Sequence, residues 1–474
     1  MNPDTKALRK LKRKYSKNPD DRGVALVKRL LLSYLPGWLV IWVLRKYFVK
    51  SDYKAARESI KFFQLSSTAY SAGKARKAQR LLLIALRLLG DGLPKSYIFL
   101  LHSVIVATLQ NPTKRSLISK SILLGTKEIP VETLDASHWY QLSRGLFSLG
   151  YFRAAWVARE NSIDLSISEA LAPDANLTTT QRAIEAHLER REFDLASRIL
   201  KNSAEKYKQK LHAEYKIFLS LVHKKFHETN IDLSDSSFDQ EGYGHLIKDR
   251  SVAIVGPAKF HGNYGNKIDS CDTVIRIKSP GVRRLPAKEL YGERCDINYY
   301  GGNEIQSLID SRDEVLVEDC LNPPMITLSW DYKLKTDNNF IIYNLDFTGP
   351  LYRTTSTAGV RTLFSMLCLR PKKMLVFGFD FYASEKQYSD DMMRFLDRKA
   401  QELGHSLPIA KSMVGFESAY RCTGLVHHDP VSNFCFAQNL HKAGLFEIEP
   451  YGKSILELTP YQYVERLEEM LGDW

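Results

Sequence analysis

The chain has 474 residues, 44% of them hydrophobic, which is too long for one ordinary core and predicts two or three domains. Its formal net charge is +13, but the first fifty residues hold 13 Lys or Arg against 3 Asp or Glu, a net +10 that leaves +3 for the rest. The body of the chain is therefore nearly neutral, and we expect no nucleic-acid partner. Its six cysteines include no C-x-x-C pair and have no histidine at ligand spacing, so neither a zinc site nor a disulfide framework is indicated.

Residues 1–50 are predicted to form a basic segment at an anionic membrane surface. Residues 30–44 contain no charge and are followed by Arg45 and Lys46. A bilayer crossing needs about 20 apolar residues, and Pro36 interrupts a helix at this point. Three interpretations remain open: an interfacial anchor, the first buried helix of the next domain, and a true span. The anchor places the protein in the cytoplasm, peripheral at the inner face of the cell membrane.

Residues 51–228 lack the alternation of strands and predict an all-α domain of helical hairpins. Three segments place an alanine five residues after the motif begins, 73–78, 150–155 and 191–196. The small side chain allows neighbouring helices to approach closely. These segments resemble the second helix of tetratricopeptide repeats, in a degenerate form. Such a domain serves either as support or as a surface for a protein partner or a long acceptor glycan.

An acidic and polar stretch, 228–242, predicts a linker, and a second domain is expected at 245–474. In this part short β-branched runs alternate with helical stretches. That alternation is typical of an α/β domain in which helices cover both faces of a parallel sheet.

The first motif of that domain spans 252–278 and predicts a strand, a glycine-punctuated loop and a second strand. Gly256, Pro257 and Asn263 lie in or beside the loop, and Lys278 follows the second strand. Glycines there allow the backbone to approach a phosphate or ribose closely. The spacing differs from the G-x-G-x-x-G fingerprint, so on residues alone a nucleotide pocket and an ordinary α/β turn are both possible.

Two further motifs follow. Ser356 and Thr357 are good N-cap residues ahead of Gly359 and an apolar helix, and a helix N-terminus suits an anion, although an ordinary capped helix explains the pattern equally well. His427 and His428 precede another predicted helix in a polar turn, where an imidazole acts either as a base or as a structural hydrogen-bonding group.

These three motifs resemble the large, small and last motifs of the sialyltransferase family. The matched positions are Gly256, Gly265, Ile268, Asp269, Ser270, Asp272, Val274, Ile275, Arg276, Ser356, Thr357, Gly359, His428 and Leu440. The chain departs from the family at Pro257, Lys278, Ala358 and Asn433, the last in place of a glutamate. Asp269, Asp272 and Arg276 have the alternative role of pinning the loop to the sheet.

The resemblance implies a Rossmann-like domain of the glycosyltransferase A variant that transfers sialic acid from CMP-sialic acid. It implies His428 as the catalytic base. Donor contacts are expected from Gly256, Pro257, Asn263, Lys278, Ser356, Thr357, Gly359 and His427. Ser251 stands where the family has the first cysteine of a disulfide, which favours a reducing compartment.

We therefore expect an inverting transferase that moves sialic acid, Kdo or a related 2-keto acid sugar from a CMP donor to a glycan or glycolipid acceptor. No cofactor or obligatory metal is expected, because protein donors alone can hold the leaving CMP phosphate. The alternative is a non-catalytic scaffold with a nucleotide-sugar fold that serves envelope polysaccharide assembly.

Overall fold

The computed structural model describes residues 81, 84, 115–148, 150–172, 175–206, 212–223, 244–277, 287–301, 325–328, 342–344, 349–383 and 428–470. The chain divides into two compact units, Met1–Ile118 and Ser119–Trp474, and nearly all described residues belong to the second. The basic segment 1–50, Lys278 and His427 lie outside the described residues, so the predictions made for them remain predictions.

Helices precede the sheet in the chain. The first six that the structure describes are α1 Arg115–Lys127, α2 Ala136–Ser148, α3 Phe152–Glu169, α4 Leu177–Glu189, α5 Phe193–Lys206 and α6 His212–Val222. Short 3-10 turns lie at Val131–Thr133 and Gly244–Leu246.

The other described elements are the strands of the sheet and the helices interspersed among and after them. The strands are β1 Ser251–Val255, β2 Thr273–Ile277, β3 Ile297–Gly301, β4 Met325–Leu328, β5 Ile342–Asn344, β6 Lys373–Phe377 and β7 Glu447–Ile448. The helices are α7 Gly265–Asp269, α8 Lys288–Tyr291, α9 Ala358–Cys368, α10 Pro430–Lys442, α11 Pro450–Leu456 and α12 Pro460–Glu469.

Within the described residues the strands form one sheet in the order β5-β4-β3-β2-β1-β6-β7, and every pairing is parallel. The interior strand β1 pairs through Val252 with Thr273 on one side and with Met374 on the other. Strands covered on both faces read as continuous apolar runs, and 252–255 is such a run, buried throughout. The predicted α/β domain with a parallel sheet is confirmed.

A recurring turn explains the repeated motif of the helical region. Gly150 and Arg191 both have a positive φ, 80° and 65°, and each stands two residues before a helix begins at Phe152 or Phe193. In both turns the next amide bonds back across the end of the preceding helix, Tyr151 N to Leu146 O at 3.0 Å and Glu192 N to His187 O at 2.9 Å. This is the geometry of a Schellman helix stop.

The alanines that end each motif bring the helices of a pair together. Ala155 and Ala196 are both fully buried, and α2 packs on α3 as α4 packs on α5. The expectation of helical hairpins is confirmed for these two pairs. The third segment, 73–78, lies outside the described residues.

The helices before the sheet pack on helices of the sheet domain. The ring of Phe218 on α6 stacks on Phe436 of α10, with centroids 4.7 Å apart, and lies 6.4 Å from Phe364 of α9. Asn439 Nδ2 on α10 donates to Leu188 O at the end of α4, at 2.9 Å. Helices on both sides of the predicted 228–245 boundary thus belong to one compact unit.

Two further features concern the described residues only. No helix among them is long and apolar enough to cross a membrane. The four cysteines described, Cys271, Cys295, Cys368 and Cys435, are all free thiols.

Candidate functional site

The sheet reverses its strand order at β1. From β1 the chain continues to β2 on one side, while β6 pairs on the other. In open α/β sheets the crevice at the carboxyl ends of such strands is the usual place for a ligand. Gly256 follows β1 and Gly378 follows β6, and the two ends are joined by bonds from Gly256 N to Phe377 O, 2.8 Å, and from Ala258 N to Gly378 O, 3.2 Å.

Phe379 occupies the space in front of two predicted donor contacts. A Cβ on Gly256 would lie 2.8 Å from its ring, and a Cβ on Gly359 would lie 2.6 Å from it. The ring itself is buried, with 8% exposed. The lack of a side chain at both glycines therefore leaves room for the ring of Phe379. Phe379 directly follows Gly378 at the end of β6, but it was not among the predicted site residues.

We expect Gly256→Ala to destabilise the fold by about 1–3 kcal/mol, the usual cost of overpacking. Its new methyl group would lie 2.4 Å from Gly378 O, a backbone oxygen that accepts the Ala258 amide, as well as close to the Phe379 ring. Urea unfolding of the variant measures this loss. Gly444→Asn is the control, because a Cβ there meets nothing within 4 Å and Asn tolerates its φ of 76°. Equal midpoints for the two variants would contradict the packing described for Gly256.

The N-terminus of α9 lies at the same edge. Thr357 is the N-cap, and its hydroxyl accepts the Val360 amide at 3.4 Å. The Thr357 amide donates to Asn433 Oδ1 at 2.7 Å, while Asn433 Nδ2 donates to Asp429 O at 2.8 Å. A carboxylate at this position accepts but cannot donate, so the amide of Asn433 suits both bonds. The sequence shows Asn433 only as a departure from the glutamate of the sialyltransferase motif.

Ser356 faces inward. Its side chain is 2% exposed, and its hydroxyl accepts from Nε of the buried Arg361 at 3.0 Å. This contact gives Ser356 a structural role beside its predicted role as a donor contact.

His428 lies against the same turn. Its Nδ1 is 3.2 Å from Thr355 O, a group that only accepts, so Nδ1 carries the proton in the neutral ring. Nε2 is then the nitrogen that can take up a proton. The next residue, Asp429, donates its amide to Thr354 Oγ1 at 3.1 Å. The predicted catalytic histidine and the predicted Ser356–Thr357 turn are thus adjacent, which sequence separation alone does not indicate.

A buried ion cluster fixes the start of α10. Arg159 on α3 is fully buried and donates from Nε to Asp429 Oδ2 at 2.8 Å, from Nη2 to Glu189 Oε2 at 2.6 Å and from Nη2 to Ser432 Oγ at 2.6 Å. Burial opposes ionisation of Asp429, but the guanidiniums of Arg159 and Arg144 hold its pKa below the ordinary value. Arg159 on α3 therefore positions Asp429, the residue that follows His428 in the chain.

Two carboxylates lie on the β7 side of the crevice. Asp380 follows β6 and Glu449 caps α11, accepting the Tyr451 amide at 2.7 Å, and each is 6% exposed. Burial, together with the charge of Asp380, raises the pKa of Glu449. His261 stacks on Tyr451 with centroids 4.0 Å apart, and burial and Lys259 lower its pKa. Because carboxylates repel anions, these acidic groups make the opposite side of the crevice, at α9, the more favourable place for an anion.

The other predicted residues lie in the loop after β1 or form structural hydrogen bonds. Pro257 is half-buried directly after β1, and Asn263 is exposed in the same loop. Three residues of the first motif act structurally: Asp269 accepts the amides of Glu293 and Arg294, Asp272 accepts from Ser251, and Arg276 donates to Tyr291 O and Arg294 O. Among the described residues no three His, Cys, Asp or Glu are grouped to hold a metal ion.

A buried glutamate contacts the chain that leads into this site. Glu185 on α4 accepts from Tyr215 Oη at 2.7 Å, Gln181 Nε2 at 3.1 Å and the Arg353 amide at 3.2 Å. Burial raises its pKa from 4.5 to about 7. Arg353 has a φ of 52°, so this amide bond holds a backbone conformation that arginine seldom adopts.

Glu185→Gln should change the pH dependence of stability. The folded chain binds this proton more tightly than the unfolded chain, so the contribution of Glu185 is fully present below pH 4.5 and is lost as the pH rises through about 7. The loss amounts to at most about 3 kcal/mol. Relative to wild type, the variant should gain thermal stability between pH 5 and pH 8. Exposed Glu457→Gln is the control, and parallel curves for wild type and Glu185→Gln would contradict the burial of a titrating carboxyl.

No protein-family model, curated protein or solved structure matches this chain.

Proposed function

We propose that this chain is an inverting glycosyltransferase that moves a 2-keto acid sugar from a CMP-activated donor to a hydroxyl group of a glycan or glycolipid. The observation that carries the proposal is the contact of His428 with Thr355, next to the N-terminus of α9, at the carboxyl edge of a parallel sheet. A base beside an anion-binding helix end suits a reaction in which a hydroxyl loses its proton while a phosphate departs.

In this proposal His428 is the general base. With Nδ1 donating to Thr355 O, Nε2 accepts the proton of the acceptor hydroxyl. The acceptor oxygen then bonds to the anomeric carbon from the face opposite the leaving group, and the bond from that carbon to the CMP phosphate oxygen breaks with its electron pair. A single displacement of this kind inverts the configuration.

The donor is oriented by charge. Sialic acid, Kdo and related sugars have a carboxylate on the anomeric carbon and, when activated, a phosphate beside it. The α9 N-terminus suits these groups, whereas Asp380 and Glu449 repel them from the β7 side. Lys278, which lies outside the described residues, is the proposed second anion contact. The leaving phosphate is then held by protein donors without a metal, in a Rossmann-like domain of the glycosyltransferase A variant.

A donor screen tests the proposal. We expect CMP-Neu5Ac, CMP-Kdo or a related CMP-sugar to release CMP in the presence of a mixed glycan and glycolipid acceptor pool, with EDTA present, as read by mass spectrometry. Donor that binds but is never cleaved would instead support a second candidate, the non-catalytic scaffold in envelope polysaccharide assembly. That candidate is favoured by the Phe379 ring in front of Gly256 and Gly359.

Deleting residues 1–50 should move the protein from the membrane fraction to the supernatant. The deletion removes a net +10 of charge together with the uncharged run 30–44. Each cation near an anionic bilayer contributes about 1 kcal/mol of binding. Vesicle flotation with and without anionic lipid measures the effect. Unchanged flotation of the truncated chain would argue that 30–44 is a buried helix.

A further inference from the structure

Asn433 joins the turn before α9 to the first turn of α10. It lies on α10 and is 3% exposed. Its Oδ1 accepts the Thr357 amide at 2.7 Å, and its Nδ2 donates to Asp429 O at 2.8 Å. Nδ2 also contacts Thr355 O at 3.5 Å. One buried amide group therefore bonds to both segments, although Thr357 and Asn433 are 76 residues apart in the chain.

The carbonyl of Thr355 is the point where the side chains of Asn433 and His428 meet. His428 Nδ1 lies 3.2 Å from Thr355 O, and Asn433 Nδ2 contacts the same oxygen. A carbonyl oxygen has two lone pairs, so it can accept from both side chains. The position of this oxygen decides whether Nδ1 of His428 has a hydrogen-bond acceptor.

Other bonds hold the neighbours of Thr355 and not its carbonyl. Thr354 Oγ1 accepts the Asp429 amide at 3.1 Å. Ser356 Oγ accepts from Nε of Arg361 at 3.0 Å. Within the part of the chain that the structure describes, the Thr355 oxygen accepts only from the histidine and the asparagine just named. The asparagine is therefore the group that can hold this carbonyl in place for the histidine.

We propose that Asn433 is a positioning residue that holds neutral His428 in the tautomer with its proton on Nδ1. Asn433 keeps Thr355 O in front of Nδ1, so Nε2 stays unprotonated. Without that carbonyl the ring proton can move to Nε2, which then cannot take the proton of a sugar hydroxyl. The consequence for catalysis rests on the proposed transferase function, whereas the effect on the tautomer does not.

NMR of the histidine ring nitrogens in the full chain distinguishes the two tautomers and needs no substrate. The signals of His428 are assigned by their loss in His428→Asn. We expect wild-type His428 to be in the Nδ1–H form at about pH 9, where histidine rings are neutral. In Asn433→Ala the ring should shift toward the Nε2–H form. In the proposed reaction kcat should then fall at least in proportion to the lost Nδ1–H fraction, while the KM for the CMP-sugar stays close to wild type.

Asn439→Ala is the matched control. Asn439 is on the same helix, is 2% exposed and donates from Nδ2 to Leu188 O at 2.9 Å, so its loss also removes a buried hydrogen bond. This variant should lose stability but leave the His428 tautomer unchanged. Asn433→Leu, which fills the space, replaces Asn433→Ala if that chain does not fold.

Two results would overturn the positioning role. One is a wild-type His428 in the Nε2–H form, and the other is an equal Nδ1–H fraction in wild type and a folded Asn433 variant. A tautomer shift on substitution of Asn433, in a protein whose wild type cleaves no CMP-sugar, would keep the positioning role and reject the transferase.

Discussion

In the proposed transferase reaction, His428→Ala should lower sugar transfer by at least about a hundredfold while CMP binding and thermal stability stay close to wild type. A general base typically contributes about 10² to 10⁴ in rate. Nδ1 donates to Thr355 O, which leaves Nε2 as the basic nitrogen in the proposed role of His428. The loss should fall on kcat, because the proton moves only in the transition state.

His441→Ala, in the last turn of the helix that follows His428, is the matched control. His441 Nδ1 also lies near a backbone carbonyl, Phe446 O at 3.3 Å, but at the opposite end of α10. It should transfer sugar at the wild-type rate. If His428→Ala keeps more than about a tenth of that rate, the loss is too small for a general base and the assignment is wrong.

Arg159→Met should destabilise the folded chain by about 3–5 kcal/mol, the usual cost of removing one partner from a buried ion cluster. The variant leaves the carboxylates of Asp429 and Glu189 buried without their shared cation. Methionine fills much of the volume, so the effect is electrostatic and not a cavity. Urea unfolding followed by circular dichroism measures the loss.

Arg190→Met is the control for this second result. Arg190 also bridges two carboxylates, Glu160 at 2.9 Å and Asp164 at 2.6 Å, but its side chain is 28% exposed, so solvent screens both pairs. Its loss should stay below about 1 kcal/mol. Adding Asp429→Asn and Glu189→Gln to Arg159→Met should restore part of the stability. Equal losses for the two single variants would contradict the cluster's burial.

Local patterns predicted a large part of the fold. The apolar run at 252–255 predicted a buried parallel strand, and it forms the interior strand β1. Thr357 was predicted as an N-cap and has that position. The alanine motifs predicted paired helices because their turn and their close packing lie within a few residues of each other. These three features depend on residues that are neighbours in the sequence, so a single sequence is enough to predict them.

The site was less predictable because its contacts join distant parts of the chain. Arg159 and Asp429 are separated by 270 residues and meet only in the fold. No residue type or spacing indicates that Asn433 would accept the Thr357 amide. Only packing shows that the ring of Phe379 fills the space beside Gly256 and Gly359.

The aromatic contact between α6 and α10 makes the helical region inseparable from the sheet. Phe436 is 4% exposed and Phe364 is 1% exposed because Phe218 and its helix cover them. A chain that began at the predicted linker would present both rings to solvent, together with the uncompensated carboxylate of Asp429. We therefore expect recombinant expression of the C-terminal half alone to yield aggregate, whereas a chain that starts at or before residue 119 keeps the whole second compact unit.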